Sequence, residues 1–378
     1  MSVLFDPVFG MTAVDAAVDD RAWLAALCEV ETALARACAR AGLVDLGTAL
    51  EIGAAADALA RRDPAELGRA AQADGNPVIP LVRELRAAVG ERAGEEAADA
   101  VHLGATSQDI LDTAAMLITS RALGVIGADL GDAADHAAAL ARAHRDTAMT
   151  GRTLLQHAVP TTFGALAAGW GAGLDHARAR LDAVRSELPI QYGGAAGTLA
   201  AVHPHGFDIV AALADELDLR EPAGVWHAER SVVAELAGAL GTASVALGKP
   251  ATDIVLLAQT ELGELRESSP GGSSAMAHKR NPIAAITARA AAAQAPGLVA
   301  TLLASGAQEL QRGAGGWHAE WQPLTALLRC VGGAASRLRA SLAGLEVDPA
   351  AMARNLGADE PEVGHAGDLV DRYLDRRR

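Results

Sequence analysis

A glycine- and serine-rich segment, Ser268 to Pro282, contains the residue types best suited to catalysis or binding in this 378-residue chain. We call it the serine loop. Lys279 and Asn281 precede the helix start that Pro282 predicts, where free N–H groups and the helix dipole favour a bound carboxylate. Ser273 lies on the flexible part, from which its hydroxyl could reach that substrate. A surface linker is the alternative interpretation, but linkers seldom hold Met, His, Lys, Arg and Asn together. The segment therefore predicts a functional loop.

A second polar segment, His102 to Asp109, precedes a long predicted helix. Hydroxyl groups at a helix start bind anions, so Thr106 and Ser107 are candidates for holding a substrate carboxylate. His102 is a candidate proton carrier. Taken alone, a Thr or Ser before Gln and Asp is better explained as a helix cap. Because the serine loop occurs in the same chain, we expect a carboxylate site here.

A third polar segment runs from Arg152 to Pro160, again before a predicted helix. Thr153 and Gln156 are candidates for substrate binding. His157 is a candidate for proton transfer or for orienting the substrate. A lone histidine is more often a buried, hydrogen-bonded structural residue, so that alternative stays open for His157.

Two further candidates lie near the C-terminal side of the chain. Arg312 and His318 could supply positive charge to a site that binds an anion. The four-residue step between Trp317 and Trp321 equally fits packing on one face of a helix. For this stretch we favour packing with a polar edge.

Charge and cysteine content exclude several classes of function. A formal net charge of -15 argues against nucleic acid or an anionic membrane as the main partner. It leaves the substrate open, and an anionic substrate would have to be held by local cations such as Lys279. Cys28, Cys38 and Cys330 lack the spacing of a disulfide framework or a zinc site, and we expect neither a metal nor a cofactor. The start of the chain has no leader-like pattern, and uninterrupted apolar runs are short. We therefore expect a cytoplasmic protein.

Hydrophobic residues make up 51 % of the chain and aromatic residues only 3 %, which favours closely packed helices. Apolar steps of three and four residues predict one helix from Ala13 to Leu43, followed by shorter helices with breaks at Gly47, at Asp63 and at Gly75. No stretch alternates as a strand would, so we predict an all-α fold. Five long helices are predicted in the second part, at Gln108–Arg145, Pro160–Leu188, Ala228–Arg266, Pro282–Ser305 and Trp317–Leu345.

This pattern divides the chain into an N-terminal helical domain (1–101), a central long-helix bundle (102–345) and a short C-terminal helical part (346–378). The long helices can bury their alanine-rich faces only side by side, and these faces are wide enough to serve neighbouring subunits as well. Polar loops at opposite ends of such helices cannot meet within one chain. We therefore expect a homotetramer whose active sites are shared between subunits.

The serine loop resembles the signature of the fumarase/aspartase superfamily, which includes argininosuccinate lyase and adenylosuccinate lyase. That signature reads Gly-Ser-Ser-x-Met-Pro-x-Lys-x-Asn-Pro, and Gly272 to Pro282 matches every fixed position except Ala277, where the family has Pro. The resemblance implies that Ser273 is the base toward a carbon acid. It also implies that Lys279 and Asn281 hold the carboxylate that takes up the developing negative charge.

The third segment resembles the superfamily's Thr-His-x-Gln-x-Ala-x-Pro element, but Leu154 stands where fumarases carry the histidine linked to protonating the leaving group. A carboxylate, whose conjugate acid has a pKa near 4, can leave without that proton. This fits the branch of bacterial 3-carboxy-cis,cis-muconate cycloisomerases, which the chain resembles over nearly its whole length. The resemblance implies reversible addition of a carboxylate to an alkene, closing a lactone in aromatic degradation.

These cycloisomerases carry a third helical domain, whereas about thirty residues follow Val347 here. The end of the chain, Gly364 to Asp371, resembles the family's own terminus, which predicts an internal deletion. Two alternatives to the cycloisomerase remain open. One is a lyase that eliminates nitrite, also a weakly basic anion, from nitrosuccinate. The other is an inactive structural homologue, although such a scaffold has no need of Ser273, Lys279 and Asn281 together.

Overall fold

Helices form most of the chain in the computed structural model, which describes residues 4–276, 278–358 and 361–377, and the predicted all-α class is confirmed. Residues 1–3 of the predicted N-terminal domain and Ala277 of the serine loop lie outside the described residues. The described N-terminal part contains the helices α1 (Thr12–Val18), α2 (Asp20–Arg40), α3 (Leu46–Leu59), α4 (Pro64–Asp74), α5 (Val78–Ala93) and α6 (Glu95–Asp99).

The single helix predicted from Ala13 to Leu43 is wrong, because the chain breaks at Asp19 between α1 and α2. The Asp19 backbone is extended, and its side chain accepts a hydrogen bond of 2.7 Å from the N–H of Ala22. This N-cap satisfies a donor that a new helix would otherwise leave unpaired. The break predicted at Gly47 is also wrong, since Gly47 lies inside α3.

Seven helices form the described central part, and α7 packs most extensively against α8 and α13. Small buried side chains, mostly alanine, allow these helices to approach closely. Four of the five predicted long helices are confirmed within nine residues at each end. The bounds are α7 (Ser107–Ala143), α8 (Phe163–Ser186), α9 (Gly206–Leu217), α10 (Ser231–Leu257), α11 (Ile283–Ala292), α12 (Ala295–Ser305) and α13 (Gly316–Ala343).

The predicted helix Pro282–Ser305 is wrong as one element, because it is divided into α11 and α12. Ala293 and Gln294 separate the two helices, and Pro296 lies in the first turn of α12. Proline fits a first helical turn, where its missing N–H would have no helical partner, but not a helix interior. The short helix α9 was not predicted.

Four short strands occur among the described residues. Strand β1 (Ala148–Thr153) pairs antiparallel with β2 (Gln156–Thr162), so the segment predicted as a loop is a β-hairpin. Leu154 and Leu155 form its tip with φ of 52° and 63°, a backbone region that leucine rarely adopts. Strand β3 (Leu265–Glu267) pairs with β4 (Leu345–Val347) and ties the start of the serine loop to the end of α13.

The bundle has two distinct ends. Helices α7, α10 and α13 begin together, because Arg230 at the start of α10 bonds to Asp112 of α7 and Glu320 of α13. We call this the Asp109 end, after the buried carboxylate described below. The opposite end holds the serine loop, and also the hairpin, since Arg152 of β1 forms an ion pair with Glu264 just before β3. We call it the serine-loop end.

The described C-terminal residues form α14 (Pro349–Leu356) and α15 (Ala366–Arg376). Helix α15 lies against α7 and α8. Tyr373 donates to Asp175 over 3.2 Å, and Arg377 donates to Asp135 over 2.8 Å. The predicted domain boundaries at residues 101 and 345 stay a prediction.

Three helical segments among the described residues are long and apolar enough to cross a membrane by length and composition alone, although the sequence predicted only short apolar runs. They are Ser107–Ala143, Ser231–Leu257 and Ile283–Ser305, the last comprising α11 and α12. The chain itself buries 78 %, 44 % and 33 % of their most apolar windows, in that order. The second and third segments therefore leave broad apolar surface uncovered by this chain.

Replacing Gly164 with alanine should destabilise the fold by about 1–3 kcal/mol, the usual cost of overpacking. A Cβ there would lie 2.7 Å from both the Cα of Arg145 and the carbonyl oxygen of His144, and backbone cannot easily move away. Thermal unfolding followed by circular dichroism measures the effect. The control is Gly169→Ala in the same helix, where no atom lies within 4 Å of the added carbon. Equal melting temperatures for the two variants would contradict the expected clash.

Candidate active site

The neck of the serine loop is closed by its own backbone. Gly271 and Asn281 exchange two N–H···O bonds of 2.9 Å each, and the Asn281 side chain donates to the carbonyl of Gly272 over 3.1 Å. The side-chain donor that the sequence assigned to a substrate therefore also stabilises the loop. Lys279 is exposed and has no ion pair among the described residues, so its ammonium is available for an anion.

The start of α11 does not provide free N–H groups, which corrects the sequence argument for a carboxylate site there. Glu267 is buried, and its carboxylate accepts from the N–H groups of Ala284 and Ala285 over 3.1 and 2.8 Å. Ser341 of α13 donates to the same carboxylate over 2.6 Å. The protein thus supplies its own anion at this helix start, and the sequence analysis missed Glu267.

The hydroxyl of Ser273 is held by its own loop. Its Oγ accepts hydrogen bonds from the N–H groups of Ala275 (3.2 Å) and Met276 (3.1 Å). Donors directed at a hydroxyl oxygen favour its negatively charged form, as in an oxyanion hole. The geometry therefore suits a serine that acts as a base.

At the other end of the bundle, Asp109 joins four groups. Its buried carboxylate accepts from the N–H groups of Thr106, Gly193 and Gly194 over 2.9, 3.0 and 2.9 Å. The Nε2 of His227 lies 2.6 Å away. Asp109 therefore fixes the start of α7 against the turn that contains the two glycines. His227 had no predicted role, because its partner is 118 residues distant.

A second buried cluster lies directly behind Asp109. Arg230 bonds to Asp112 over 2.7 and 3.1 Å and to Glu320 over 3.1 and 2.6 Å. Burial raises the pKa of Glu320, although the positive charge of Arg230 opposes that shift. The indole N–H of Trp317 donates to Asp112 over 3.0 Å, which agrees with packing that has a polar edge. Sequence inspection did not reveal this cluster.

Arg312 and His318 both lie near the Asp109 end. Arg312 donates to the carbonyl of Ala195 over 2.9 Å and to Gln108 over 3.3 Å, so it pins the glycine turn to α7. The Nε2 of exposed His318 lies 3.1 Å from the carbonyl of Gly75, and its ring packs on Trp317. Both residues already have protein partners, and their supply of charge to a substrate stays a prediction.

His102 forms a close pair with a carboxylate that the sequence analysis did not single out. Its Nδ1 lies 2.7 Å from Oε1 of Glu31 on α2. Burial acts against the charged ring, but the charge and hydrogen bond of Glu31 outweigh it and raise the pKa of His102. Thr106 and Ser107 follow on the same turn and are half-buried, so the predicted second segment does gather in one place.

The hairpin places Thr153, Gln156 and His157 on the surface of the chain. The interpretation of His157 as a buried structural residue is therefore wrong. Its ring makes no hydrogen bond to any described residue. The base of the hairpin is firmly held, because Glu264 is fully buried and bonds Arg152 over 2.6 and 3.0 Å.

The candidate residues fall into two groups at opposite ends of one chain. Trp317 marks the Asp109 end of α13, and Ser341 marks its serine-loop end. Those positions are 24 residues apart, which at 1.5 Å per residue corresponds to roughly 36 Å. Ser273, Lys279 and the hairpin thus lie far from His102, Thr106 and Ser107. Within the described ranges, no three His, Cys, Asp or Glu residues are grouped so as to hold a metal.

Comparison with known proteins gives consistent matches. A model of the lyase family matches residues 3–297. Nitrosuccinate lyase from Streptomyces davaonensis is 47 % identical over 366 residues, covering 94 % of this chain and 77 % of that protein. 3-Carboxy-cis,cis-muconate cycloisomerase from Bradyrhizobium diazoefficiens is 45 % identical, covering 95 % and 80 %. The solved 3-carboxy-cis,cis-muconate lactonizing enzyme from Pseudomonas putida superposes with a TM-score of 0.89 at 39 % identity, covering 99 % of this chain and 87 % of that one.

Replacing Arg230 with alanine should lower the free energy of unfolding by about 3–5 kcal/mol, because Asp112 and Glu320 would remain buried without their cation. Urea unfolding measures the loss. The control is Arg266→Ala, which removes an exposed ion pair with Glu346 and should leave the unfolding midpoint unchanged. A wild-type midpoint for the Arg230 variant would show that the cluster tolerates the missing charge.

Proposed function

The chain belongs to the lyase family, within the fumarase/aspartase superfamily, and on that premise we propose that it is a 3-carboxy-cis,cis-muconate cycloisomerase. The reaction is the reversible intramolecular addition of a carboxylate to an alkene, which gives 4-carboxymuconolactone in aromatic degradation. The substrate is a small tricarboxylate, and we place the enzyme in the cytoplasm. The observation that carries the proposal is the pair of N–H groups bonded to Oγ of Ser273 on a loop that also holds Lys279.

The chemistry follows from these groups. In the ring-opening direction Ser273 removes a proton from the carbon beside a carboxylate, and Lys279 and Asn281 stabilise the charge that moves onto that carboxylate. The ring C–O bond then breaks, and its electron pair leaves with the second carboxylate. Lactone formation runs through the same steps in reverse. The proton taken by Ser273 passes to solvent and the released carboxylate keeps the matching negative charge, so atoms and charge balance without a cofactor.

The hairpin tip supports a weakly basic leaving group. Leu154 is 96 % exposed at the position where the superfamily's proton-donating histidine is expected. A leucine cannot donate a proton, but a carboxylate does not require one to leave. His157 lies two residues after the tip residue Leu155 and pairs with Arg152 in the hairpin. It is the candidate for orienting the substrate, with Thr153 and Gln156 beside it.

Nitrosuccinate elimination is the second candidate, favoured by the 47 % identity to nitrosuccinate lyase. Nitrite is also weakly basic, so Leu154 is compatible with this reaction. Several cycloisomerases at 38–45 % identity and the solved cycloisomerase structures support the first candidate more broadly.

We infer that the active enzyme is a homotetramer in which each site combines groups from different subunits. The roughly 36 Å between the two groups of candidate residues is too far for one small substrate to bridge. Helix α10 and the pair α11 and α12 present apolar surface that this chain does not cover, including exposed Val245 and Leu303. Helix faces of this kind are usually buried by a partner in long-helix assemblies.

Turnover assays with carboxymuconate and nitrosuccinate distinguish the two candidates. We expect loss of diene absorbance with the first compound and no nitrite release from the second. Ser273→Ala should lower kcat by roughly a hundredfold or more, because the base is removed. Ser274→Ala, on the same loop, is the control for a change in loop structure. Nitrite release would select the lyase, and inactivity of a folded wild-type tetramer on both compounds would favour an inactive homologue.

Mixing two inactive variants tests whether sites are shared. Ser273→Ala and Thr106→Val change opposite ends of the chain. If each site takes these two groups from different subunits, roughly one site in four of a co-expressed mixture contains both intact groups, so about a quarter of wild-type turnover should return. Pairing Ser273→Ala with Lys279→Ala, on the same loop, should restore none. Light scattering reports the mass of each assembly. Full inactivity of the first mixture, with both variants tetrameric, would place each site within a single chain.

A further inference from the structure

Glu31 is a buried carboxylate that no step described above uses. Its side chain is 0 % exposed, and its one hydrogen bond to a described residue is the 2.7 Å contact with Nδ1 of His102. The second oxygen, Oε2, is buried and has no hydrogen-bond partner in the part of the chain that the structure describes. The carboxylate comes from α2, whereas the histidine lies on the turn before α7, so the pair joins the N-terminal helices to the Asp109 end.

The charge balance around this pair favours a cationic histidine. Burying a carboxylate is unfavourable unless a positive group accompanies it, and His102 is the group in contact. Burial alone would lower the pKa of His102, but Glu31, with help from Asp109, raises it overall against the opposing charge of Arg86.

The other titratable neighbours of Glu31 stay neutral. Burial, followed by the charge of Glu31, raises the pKa of Cys28 and of Cys38 to about 12. Burial likewise raises the pKa of Tyr192, whose hydroxyl donates to the carbonyl of Leu103. Neither the thiols nor the phenol can carry a positive charge, so His102 is the contacting group that can offset the charge of Glu31.

The contact also fixes which atom of His102 is left for a ligand. Nδ1 faces Glu31, and Nε2 has no hydrogen bond to any described residue. The side chain is 12 % exposed, so part of the ring is reachable. His102 has a φ of 62°, a left-handed conformation that costs a non-glycine residue free energy and marks a constrained position. The same turn leads within five residues to Thr106 and Ser107.

We propose that Glu31 is a positioning residue, which holds His102 as an imidazolium so that its Nε2–H binds one substrate carboxylate beside Thr106 and Ser107. This inference rests on the proposed function, since it requires a substrate with several carboxylates. It assigns His102 to binding and leaves proton removal to Ser273. In a chain with a net charge of -15, a cation held by an internal carboxylate provides local attraction for an anion.

The test is Glu31→Gln, which keeps the shape and an oxygen acceptor for Nδ1–H but removes the charge. We expect KM to rise about tenfold at about pH 8 while kcat changes by less than about twofold, since the binding contact loses its ionic character. In wild type, affinity should fall as pH rises through the raised pKa of His102, and in the variant the fall should begin at lower pH. Glu29→Gln on the same helix, which removes an exposed pair with Arg121, is the control.

Two further measurements do not depend on turnover. Calorimetry with the unreactive tricarboxylate tricarballylate should show the same pH shift, and His102→Asn, which retains an amide near the Nδ1 position, should weaken binding as Glu31→Gln does. Proton NMR of the folded wild type, with His102 assigned from that variant, gives its pKa directly. A pKa at or below the ordinary 6.5 would overturn the inference, and so would unchanged tricarballylate affinity in a folded Glu31→Gln variant. Absent turnover with normal tricarballylate binding would instead count against the proposed reaction alone.

Discussion

Two carboxylates buried three residues apart on α7 hold the Asp109 end together. Asp109 accepts three backbone N–H groups and contacts His227, while Asp112 shares Arg230 with Glu320 of α13. Each charge is stable in the interior only while its partners are in place. The starts of three long helices and one glycine turn are therefore positioned as a unit. Thr106, Ser107 and His102 lie next to this unit, at and just before the start of α7, and are positioned by it.

The length of α13 determines how far apart the two groups of candidate site residues lie within one chain. The same α13 that begins beside Asp112 ends beside Glu267 and the serine loop, so the candidate base and the candidate cation at His102 are held apart by a rod of fixed length. A site that uses both groups would therefore need a second copy of the chain to supply one of them. The proposed site therefore requires the proposed assembly, for which the apolar faces that α10, α11 and α12 leave uncovered would provide the contacts.

The sequence predicted the long helices well, because an apolar period of three to four residues persists over many turns. It failed where local rules compete, as at Asp19, where a cap divides a continuous apolar pattern, and at the hairpin, where two leucines adopt a turn conformation they rarely favour. Candidate site residues could be proposed where they lie in compact motifs, and their roles stay a prediction. Glu31, Glu267 and His227 were missed because each acts on a group distant in sequence, and only tertiary packing brings them together.

The leucine tip of the hairpin links the stability of the protein to its concentration. Two residues with positive φ and large exposed side chains are unfavourable in water, and a separate chain retains both disadvantages. A neighbouring subunit that covered the tip in the proposed tetramer would remove this exposure, and the fold would then gain stability by mass action. Resistance to thermal unfolding would then depend on protein concentration, and dilute solutions would lose native protein faster than concentrated ones.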